Sequence, residues 1–204
     1  MESNIKNIVF DLAGVVFARN KERCPEELLR FFCFVIPGHK MPAFWEDYDR
    51  GIKSIDEVAE ALGKYRNCST EYAHTKILEA ITYQDEIAAT KQLISELKAA
   101  GHHLFVLSNM SREYIDYLRR KEVYAAFEGE VISCEVGLCK PEQEIYKCVL
   151  SRYNLKADET LFLDDRAENV DAAIACGMGG LLFDRNEPER SCNIIRQMLN
   201  LKQL

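Results

Sequence analysis

Short apolar runs alternate along the chain with segments whose apolar residues recur every three or four positions. The apolar runs predict five β-strands, at residues 5–10, 104–107, near Val131, 161–163 and 180–183. The amphipathic segments of the same region predict helices at residues 87–100, 111–120, 142–153, 167–176 and 188–199. Near-continuous apolar strands that alternate with helices are typical of a parallel sheet covered on both faces. The pattern therefore predicts an α/β fold.

The stretch after the first strand breaks this alternation. No apolar run between Arg19 and Tyr83 predicts a strand, whereas helices are predicted at residues 25–36, at 55–64 and from Ser69 toward Ile81. Ser54 and Glu57 have the spacing of a capping box, which favours a helix start. The sequence thus predicts an all-helical insertion directly after the first strand of the sheet.

Composition and charge limit the classes of molecule that the chain is expected to bind. The chain has 204 residues and a formal net charge of −7, which argues against nucleic acid as a partner. It has no apolar run long enough to span a membrane, and residues 1–4 do not resemble a signal peptide, so we expect a cytoplasmic protein. The eight cysteines form no Cys-x-x-Cys pair and are expected to be free thiols.

Polar residues follow four of the apolar runs. They are Asp11, then Ser108 and Asn109, then Lys140 after a short loop, and finally Asp164 with Asp165. Open α/β sheets bind their ligands at the carboxyl ends of the strands. Each residue has an ordinary alternative, because Asp and Ser cap helices and most lysines are solvated. Four such junctions in one chain favour a shared site.

The residue types in these junctions suit phosphoryl transfer. Asp11 can act as a nucleophile, and three carboxylates offer the hard oxygen ligands that Mg²⁺ prefers. Lys140 supplies a fixed positive charge, while Ser108 and Asn109 can donate hydrogen bonds to phosphate oxygens. The substrate expected from this chemistry is a small phosphorylated metabolite.

These motifs resemble those of the haloacid dehalogenase superfamily of hydrolases, in the branch with a small helical cap. The resemblance rests on residues 9–15, 107–109, 140–141 and 163–165, and it extends over essentially the whole chain. It implies a Rossmann-like core of residues 1–16 and 85–204 and a helical cap of residues 17–84. The implied roles are a nucleophile, Asp11; a phosphoryl-binding residue, Ser108; a charge-balancing residue, Lys140; Mg²⁺ ligands, Asp11, Asp164, Asp165 and the carbonyl of Ala13; and an outer-shell residue, Asn169.

One position departs from the family pattern. Phosphatases of this family usually carry a second Asp two residues after the nucleophile, where it transfers protons, but here Ala13 stands in its place. Losing general acid–base help costs about 10²–10⁴ in rate. The substrate could have a good leaving group, as a sugar 1-phosphate does, or a group of the cap or a water could replace the Asp. A third reading is a weak or inactive phosphate-binding protein.

The chain is similar to bacterial sugar-phosphate phosphatases of the glucose-1-phosphate type, which favours a sugar phosphate as substrate. A haloacid dehalogenase is a rival interpretation, but it would not need the Asp164–Asp165 pair. A signalling receiver domain is disfavoured because its acidic pair comes first in the chain. We expect a monomer or weak homodimer.

Substrate specificity is expected to come from the cap. The candidate substrate-facing residues are Phe17, Arg19, Trp45, Tyr48 and Arg50. Arg19 is the foremost candidate because it follows the nucleophile loop closely. Trp45 and Tyr48 could instead pack in the core of the cap, as aromatic residues on helices commonly do.

Overall fold

The computed structural model describes residues 4–36 and 38–201. Its strands are β1 (Asn7–Phe10), β2 (Phe17–Arg19), β3 (Gln84–Glu86), β4 (His103–Ser108), β5 (Gly129–Ile132), β6 (Thr160–Asp164) and β7 (Gly179–Leu182). Its α-helices are α1 (Glu26–Phe31), α2 (Ala43–Asp49), α3 (Ile55–Arg66), α4 (Thr70–Ile81), α5 (Ala88–Ala99), α6 (Arg112–Leu118), α7 (Ser133–Val136), α8 (Gln143–Arg152), α9 (Ala167–Ala175) and α10 (Pro188–Met198).

Five of the strands form one parallel sheet in the order β5-β4-β1-β6-β7. In the central strand β1, Ile8 and Phe10 pack into the hydrophobic cluster on one face of the sheet, whereas Val9 packs into the cluster on the other. Because both faces are covered, the strand is apolar at each position from Ile8 to Phe10, which is why its sequence reads as a continuous run. The predicted α/β fold with a parallel sheet is confirmed.

The carboxyl ends of β1, β4 and β6 lie side by side, because β1 pairs with both of the other strands in parallel register. Phe10, the last residue of β1, stands opposite Val106 in β4 and Leu163 in β6. The residues that follow these positions therefore meet at one edge of the sheet. This register places the polar strand-end residues near one another.

The four helices α1–α4 lie between the short strands β2 and β3 and have a hydrophobic core of their own. Ser54 and Glu57 form the predicted capping box at the start of α3. The predicted helix at residues 25–36 is shorter: α1 ends at Phe31 and a 3-10 turn, Cys33–Val35, follows. No helix in the described part of the chain is long and apolar enough to cross a membrane.

The expectation that residues 17–84 are entirely helical was wrong at both ends of the segment. Strands β2 and β3 pair in antiparallel fashion, with Phe17 opposite Glu86 and Arg19 opposite Gln84. Three residues are too few to show the alternation of a half-buried strand, so only the pairing of distant segments reveals them. The chain thus enters and leaves the helical segment through two short strands, β2 and β3, which pair as a small two-stranded ribbon.

Candidate active site

Four strand ends and loops bring their polar side chains together around Asp11, which directly follows β1. The Ser108 hydroxyl, at the end of β4, donates a hydrogen bond to Asp11 Oδ1 over 2.7 Å. The Lys140 ammonium lies 2.8 Å from the same Asp11 oxygen and 2.6 Å from Asp164 Oδ2 at the end of β6. Residues up to 153 positions apart in sequence therefore converge at this edge of the sheet, as the sequence predicted.

Lys140 is a fully enclosed cation with anionic partners. Its ammonium also donates to the Leu107 carbonyl oxygen over 3.0 Å, so the group is held by three oxygens. Burial works against the charged ammonium, but the adjacent Asp11 and Asp164 carboxylates outweigh burial and raise the pKa of Lys140. Lys140 thus carries a permanent positive charge beside Asp11.

Asn109 holds Lys140 in place through the backbone. Its side-chain amide donates to the Lys140 carbonyl oxygen over 2.9 Å, and its side-chain oxygen accepts from the Lys140 N–H over 2.8 Å. The predicted substrate-binding role of Asn109 has no support from its side chain, whose two heteroatoms are both engaged. Asn109 instead positions the loop that presents the lysine.

Asp11, Asp164 and Asp165 form a cluster in which one carboxylate oxygen from each lies within 4.8 Å of the others. Burial, together with the charges of Asp11 and Asp164, raises the pKa of Asp165 to about 7. Such repulsion between buried carboxylates is relieved by a hard divalent cation, whose oxygen ligands these are. The residues present therefore fit a Mg²⁺ ion.

Two further residues stabilise the acidic cluster. Asn169 donates its side-chain amide to both oxygens of Asp164 over 3.0 Å. Arg185 lies 3.2 Å from Asp165 Oδ2. Arg185 was not predicted, because nothing in the sequence around it distinguishes it from the other arginines.

A cavity of about 530 Å³ opens above these residues, between the sheet edge and the helices α1–α4. Asp11, Lys140 and Asp165 lie in its wall, and Ala13 is exposed there. This volume is typical of small-molecule binding sites. Asp11, Lys140 and Asp165 thus face a common space large enough for a small phosphorylated compound.

Four of the five candidate substrate-facing residues line this cavity: Phe17, Arg19, Trp45 and Arg50. Tyr48 does not; it is 2% exposed, packs against Trp45 and donates a hydrogen bond to Glu113. Its selection as a substrate-facing residue was wrong, since its face of α2 turns into the core of the helical segment.

The backbone carbonyl oxygen of Asp49, one residue further on, accepts a hydrogen bond from the Ser133 hydroxyl of α7.

A family model for haloacid dehalogenase-like hydrolases matches residues 5–177. The chain belongs to this family. This haloacid dehalogenase-like hydrolase is 28% identical over 200 residues to a sesquiterpene phosphatase of Aspergillus oryzae, covering 98% of the chain and 99% of that protein. It is 22% identical over 204 residues to a D-ribitol-5-phosphate phosphatase of Bacteroides thetaiotaomicron, covering 93% and 94% of the two chains.

The fold of the hydrolase is shared with solved structures. A family enzyme of Bacteroides thetaiotaomicron, solved in complex with magnesium and inorganic phosphate, superposes with a TM-score of 0.69 at 22% identity, covering 90% of this chain and 96% of that one. In the hydrolase, Asp11, Ser108, Lys140, Asp164 and Asp165 lie together in one site. At Ala13 its side chain is a methyl group, which cannot transfer a proton.

Proposed function

We propose that the hydrolase is a Mg²⁺-dependent phosphatase that releases phosphate from a small phosphorylated metabolite through an aspartyl-phosphate on Asp11. The observation that carries this proposal is the pairing of the Asp11 carboxylate with Lys140 and Ser108 at the floor of the cavity. A carboxylate held by a cation on one oxygen keeps the other free for attack on phosphorus.

Each residue has a defined task in this reaction. Asp11 attacks the phosphorus atom, and the alkoxide of the substrate leaves. Ser108 and Lys140, which both contact Asp11 Oδ1, orient the nucleophile and offset the charge of the incoming phosphate. Arg19, which lines the cavity, would bind the remainder of the substrate. Water then attacks the aspartyl-phosphate and regenerates Asp11.

Asp11, Asp164, Asp165 and the carbonyl of Ala13 would hold the Mg²⁺ ion. When bound, the ion offsets the negative charge of the phosphate and so lowers the barrier to attack by an anion. The relative of the same fold that was solved with magnesium and phosphate supports this cofactor. Because the Lys140 ammonium contacts both Asp11 and Asp164, Asp165 is the ligand whose charge most needs the ion.

Two classes of substrate have support. A sugar phosphate, expected from the sequence, is supported by the similarity to the ribitol-phosphate phosphatase. An apolar alcohol phosphate is supported by the similarity to the sesquiterpene phosphatase and by the apolar wall of the cavity. That wall is formed by Leu29, Val35, Met41 and Trp45.

The proposal is tested with a panel of sugar, alkyl and prenyl phosphates, reading released phosphate with Mg²⁺ and with chelator. We expect turnover that needs Mg²⁺ and that Asp11→Asn lowers by at least about 10³-fold, because no other carboxylate is held as a nucleophile. Binding of inorganic phosphate without any turnover would favour the inactive phosphate-binding alternative. Halide release from 2-haloacids in chelator would favour a dehalogenase.

We also propose the division into a core of residues 1–16 and 85–204 and a cap of residues 17–84, with the β2–β3 ribbon at the junction. The separate hydrophobic core of the helices supports this division. A cap of this kind can close over substrate and exclude water. A cytoplasmic location and a monomer or weak homodimer remain the expectations for the whole protein.

A further inference from the structure

The proposed phosphatase reaction needs a proton donor for the leaving oxygen, and Ala13 cannot be that donor. Among the described residues, six carboxyl groups line the cavity: Asp11, Glu46, Asp49, Glu142, Asp165 and Glu168. Asp11 is assigned as the nucleophile and Asp165 as a metal ligand. Glu46 and Glu168 are exposed to solvent. A shielded carboxyl group must therefore be sought in Glu142 or Asp49.

Glu142 is committed to an ion pair. Both of its oxygens accept from the Arg50 guanidinium, over 2.5 and 3.0 Å, and hydrogen bonding from Arg50 lowers the pKa of Glu142. A carboxylate held in this way stays ionised and cannot give up a proton near neutral pH. Asp49 forms no ion pair within the described residues, and it is the remaining candidate.

Asp49 is fixed at the border between the helical segment and the core. It is the last residue of α2, and its carbonyl oxygen accepts from the Ser133 hydroxyl, which itself accepts from the Met110 N–H over 2.8 Å. The backbone of Ser111, three residues beyond Ser108, lies close enough to its carboxyl group to lower the pKa of Asp49. The carboxyl group is thereby held beside the loop that follows the phosphoryl-binding serine.

The neighbouring residues tie the same turn to the core. Arg50 bridges to Glu142 and to the Gly137 carbonyl oxygen, the latter over 3.2 Å. Gly51, at a φ of +79°, packs so closely on Cys134 that a Cβ would overlap the Cys134 carbonyl oxygen. The position of Asp49 is thus set from three sides, as a proton-transfer group requires.

The electrostatic surroundings suit proton transfer near neutral pH. Burial raises the pKa of Asp49 to about 7; Glu46 on the same helix adds to the rise, while Arg166 and the Ser111 N–H oppose it. The other titratable groups near Asp49 are Tyr114, Cys134 and Cys139, all neutral at this pH because burial raises their pKa values. A carboxyl group with this pKa can be both acid and base.

We propose that Asp49 is the general acid–base of this phosphatase and replaces the Asp that the family usually carries at position 13. In the first step the Asp11–phosphorus bond forms, the phosphorus–oxygen bond of the ester breaks, and Asp49 gives its proton to the leaving alkoxide. In the second step the bond from the water oxygen to phosphorus forms, the Asp11–phosphorus bond breaks, and the Asp49 carboxylate takes the proton of the attacking water. Alcohol and phosphate leave, and both carboxyl groups return to their starting state.

The test compares Asp49→Asn with a matched control, Asp47→Asn, which removes a carboxylate from the same helix but outside the cavity wall. Asn keeps an oxygen for the Ser111 N–H but cannot transfer a proton. On an alkyl phosphate we expect Asp49→Asn to lower kcat about 10²–10⁴-fold. On 4-nitrophenyl phosphate, whose leaving group needs no acid, a burst of nitrophenolate should precede slow turnover. Asp47→Asn should match the wild type.

A rescue experiment separates proton transfer from a structural role. Ala13→Asp combined with Asp49→Asn should recover at least about ten-fold of the lost kcat on alkyl phosphates, because it restores a donor at the usual family position. Loss of activity that is equal on both substrates, shows no burst and is not rescued would overturn the proposal. So would Asp49→Asn with wild-type kinetics.

Two measurements on the wild-type protein test the role of Asp49 even if the Asp49→Asn variant does not fold. With Asp49 as acid, kcat/KM for an alkyl phosphate should fall as pH rises above about 7, since the protonated form is then lost. It should also depend only weakly on the pKa of the leaving alcohol. A steep dependence on the leaving group, with no alkaline fall specific to alkyl esters, contradicts the role of Asp49. Failure of the phosphatase function itself would show differently, as a wild type inactive on every ester.

Discussion

Gly14 shows at the residue scale how tightly the nucleophile loop approaches the acidic pair. Its φ is +86°, and a Cβ at this position would overlap Asp165 Oδ2 and lie 2.8 Å from Asp165 Cγ. Glycine is therefore needed here twice, for its backbone conformation and for the missing side chain. The missing side chain leaves room for the Asp165 carboxylate, which we assign as a Mg²⁺ ligand.

We predict that Gly14→Ala raises the Mg²⁺ concentration needed for half-maximal activity about 10–100-fold, because the new methyl group displaces Asp165. The matched control is Gly101→Ala. Gly101 has a φ of +87° but open space around its Cβ position. The control should lose about 1 kcal/mol of stability and keep its Mg²⁺ dependence. Equal Mg²⁺ titration curves for the two variants would refute the contact with Asp165 as the cause.

Single residues of the site differed in how far the sequence revealed them. Asp11, Ser108 and Lys140 were predicted because each follows an apolar strand or its loop, and their mutual contacts agree with that prediction. Asp49 and Arg185 carry no such local signal. They reach the site only because distant segments fold against it, so no pattern in the sequence selected them over their neighbours.

At the scale of elements, α5 and α10 are joined by a buried ion pair. Arg196 of α10 donates to Glu96 of α5 over 2.7 and 3.3 Å, and both side chains are less than a tenth exposed. Arg196 also lies 3.1 Å from the exposed Glu189 carboxylate, so removing Glu96 leaves the buried guanidinium with only this solvent-screened anionic partner. The pair ties the last helix to the first helix after β3.

We predict that Glu96→Ala lowers the free energy of unfolding by about 3 kcal/mol, as measured by urea denaturation. The control is Glu122→Ala, which removes an exposed ion pair with Lys91. That change should cost less than about 1 kcal/mol, because solvent screens the pair. Similar losses in the two variants would show that burial of the Glu96–Arg196 pair does not decide its contribution.

Elements were predicted well where their signal is local. The strands of the sheet and the larger helices agree with the sequence to within a few residues, since each spans enough positions to show its period. The ribbon of β2 and β3 was missed. Its pairing joins residues 17–19 to 84–86. Each strand has only three residues, which are too few to show the alternation of apolar and polar positions that would identify a strand.

At the scale of the whole molecule, pH and Mg²⁺ act on the same carboxylates. Burial and the neighbouring charges raise the pKa of Asp165 to about 7, above its unfolded value of about 3.9. A raised pKa in the folded state contributes stability that is present below the unfolded pKa and is lost as pH rises through about 7. The metal-free protein should therefore lose stability between pH 4 and pH 7 from this group.

We predict that Mg²⁺ raises Tm more at pH 8 than at pH 5.5, because at pH 5.5 the ion must displace a proton from Asp165. With Mg²⁺ at 100-fold over its dissociation constant, the rise at pH 8 should be about 5–10 °C. Calorimetry with Mg²⁺ and with chelator at both pH values measures the difference. Equal shifts at the two pH values would contradict the assignment of Asp165 as a ligand.

The sequence by itself determined the α/β class, the parallel sheet, the helical insertion and the family, because apolar runs and the polar residues that end them are local features. The tertiary structure decided which helix residues face the cavity. It turned Tyr48 inward, brought Asp49 to the cavity wall and set Arg185 beside Asp165. These outcomes depend on how the helical segment packs on the sheet edge, and that packing is fixed by contacts between residues far apart in the chain.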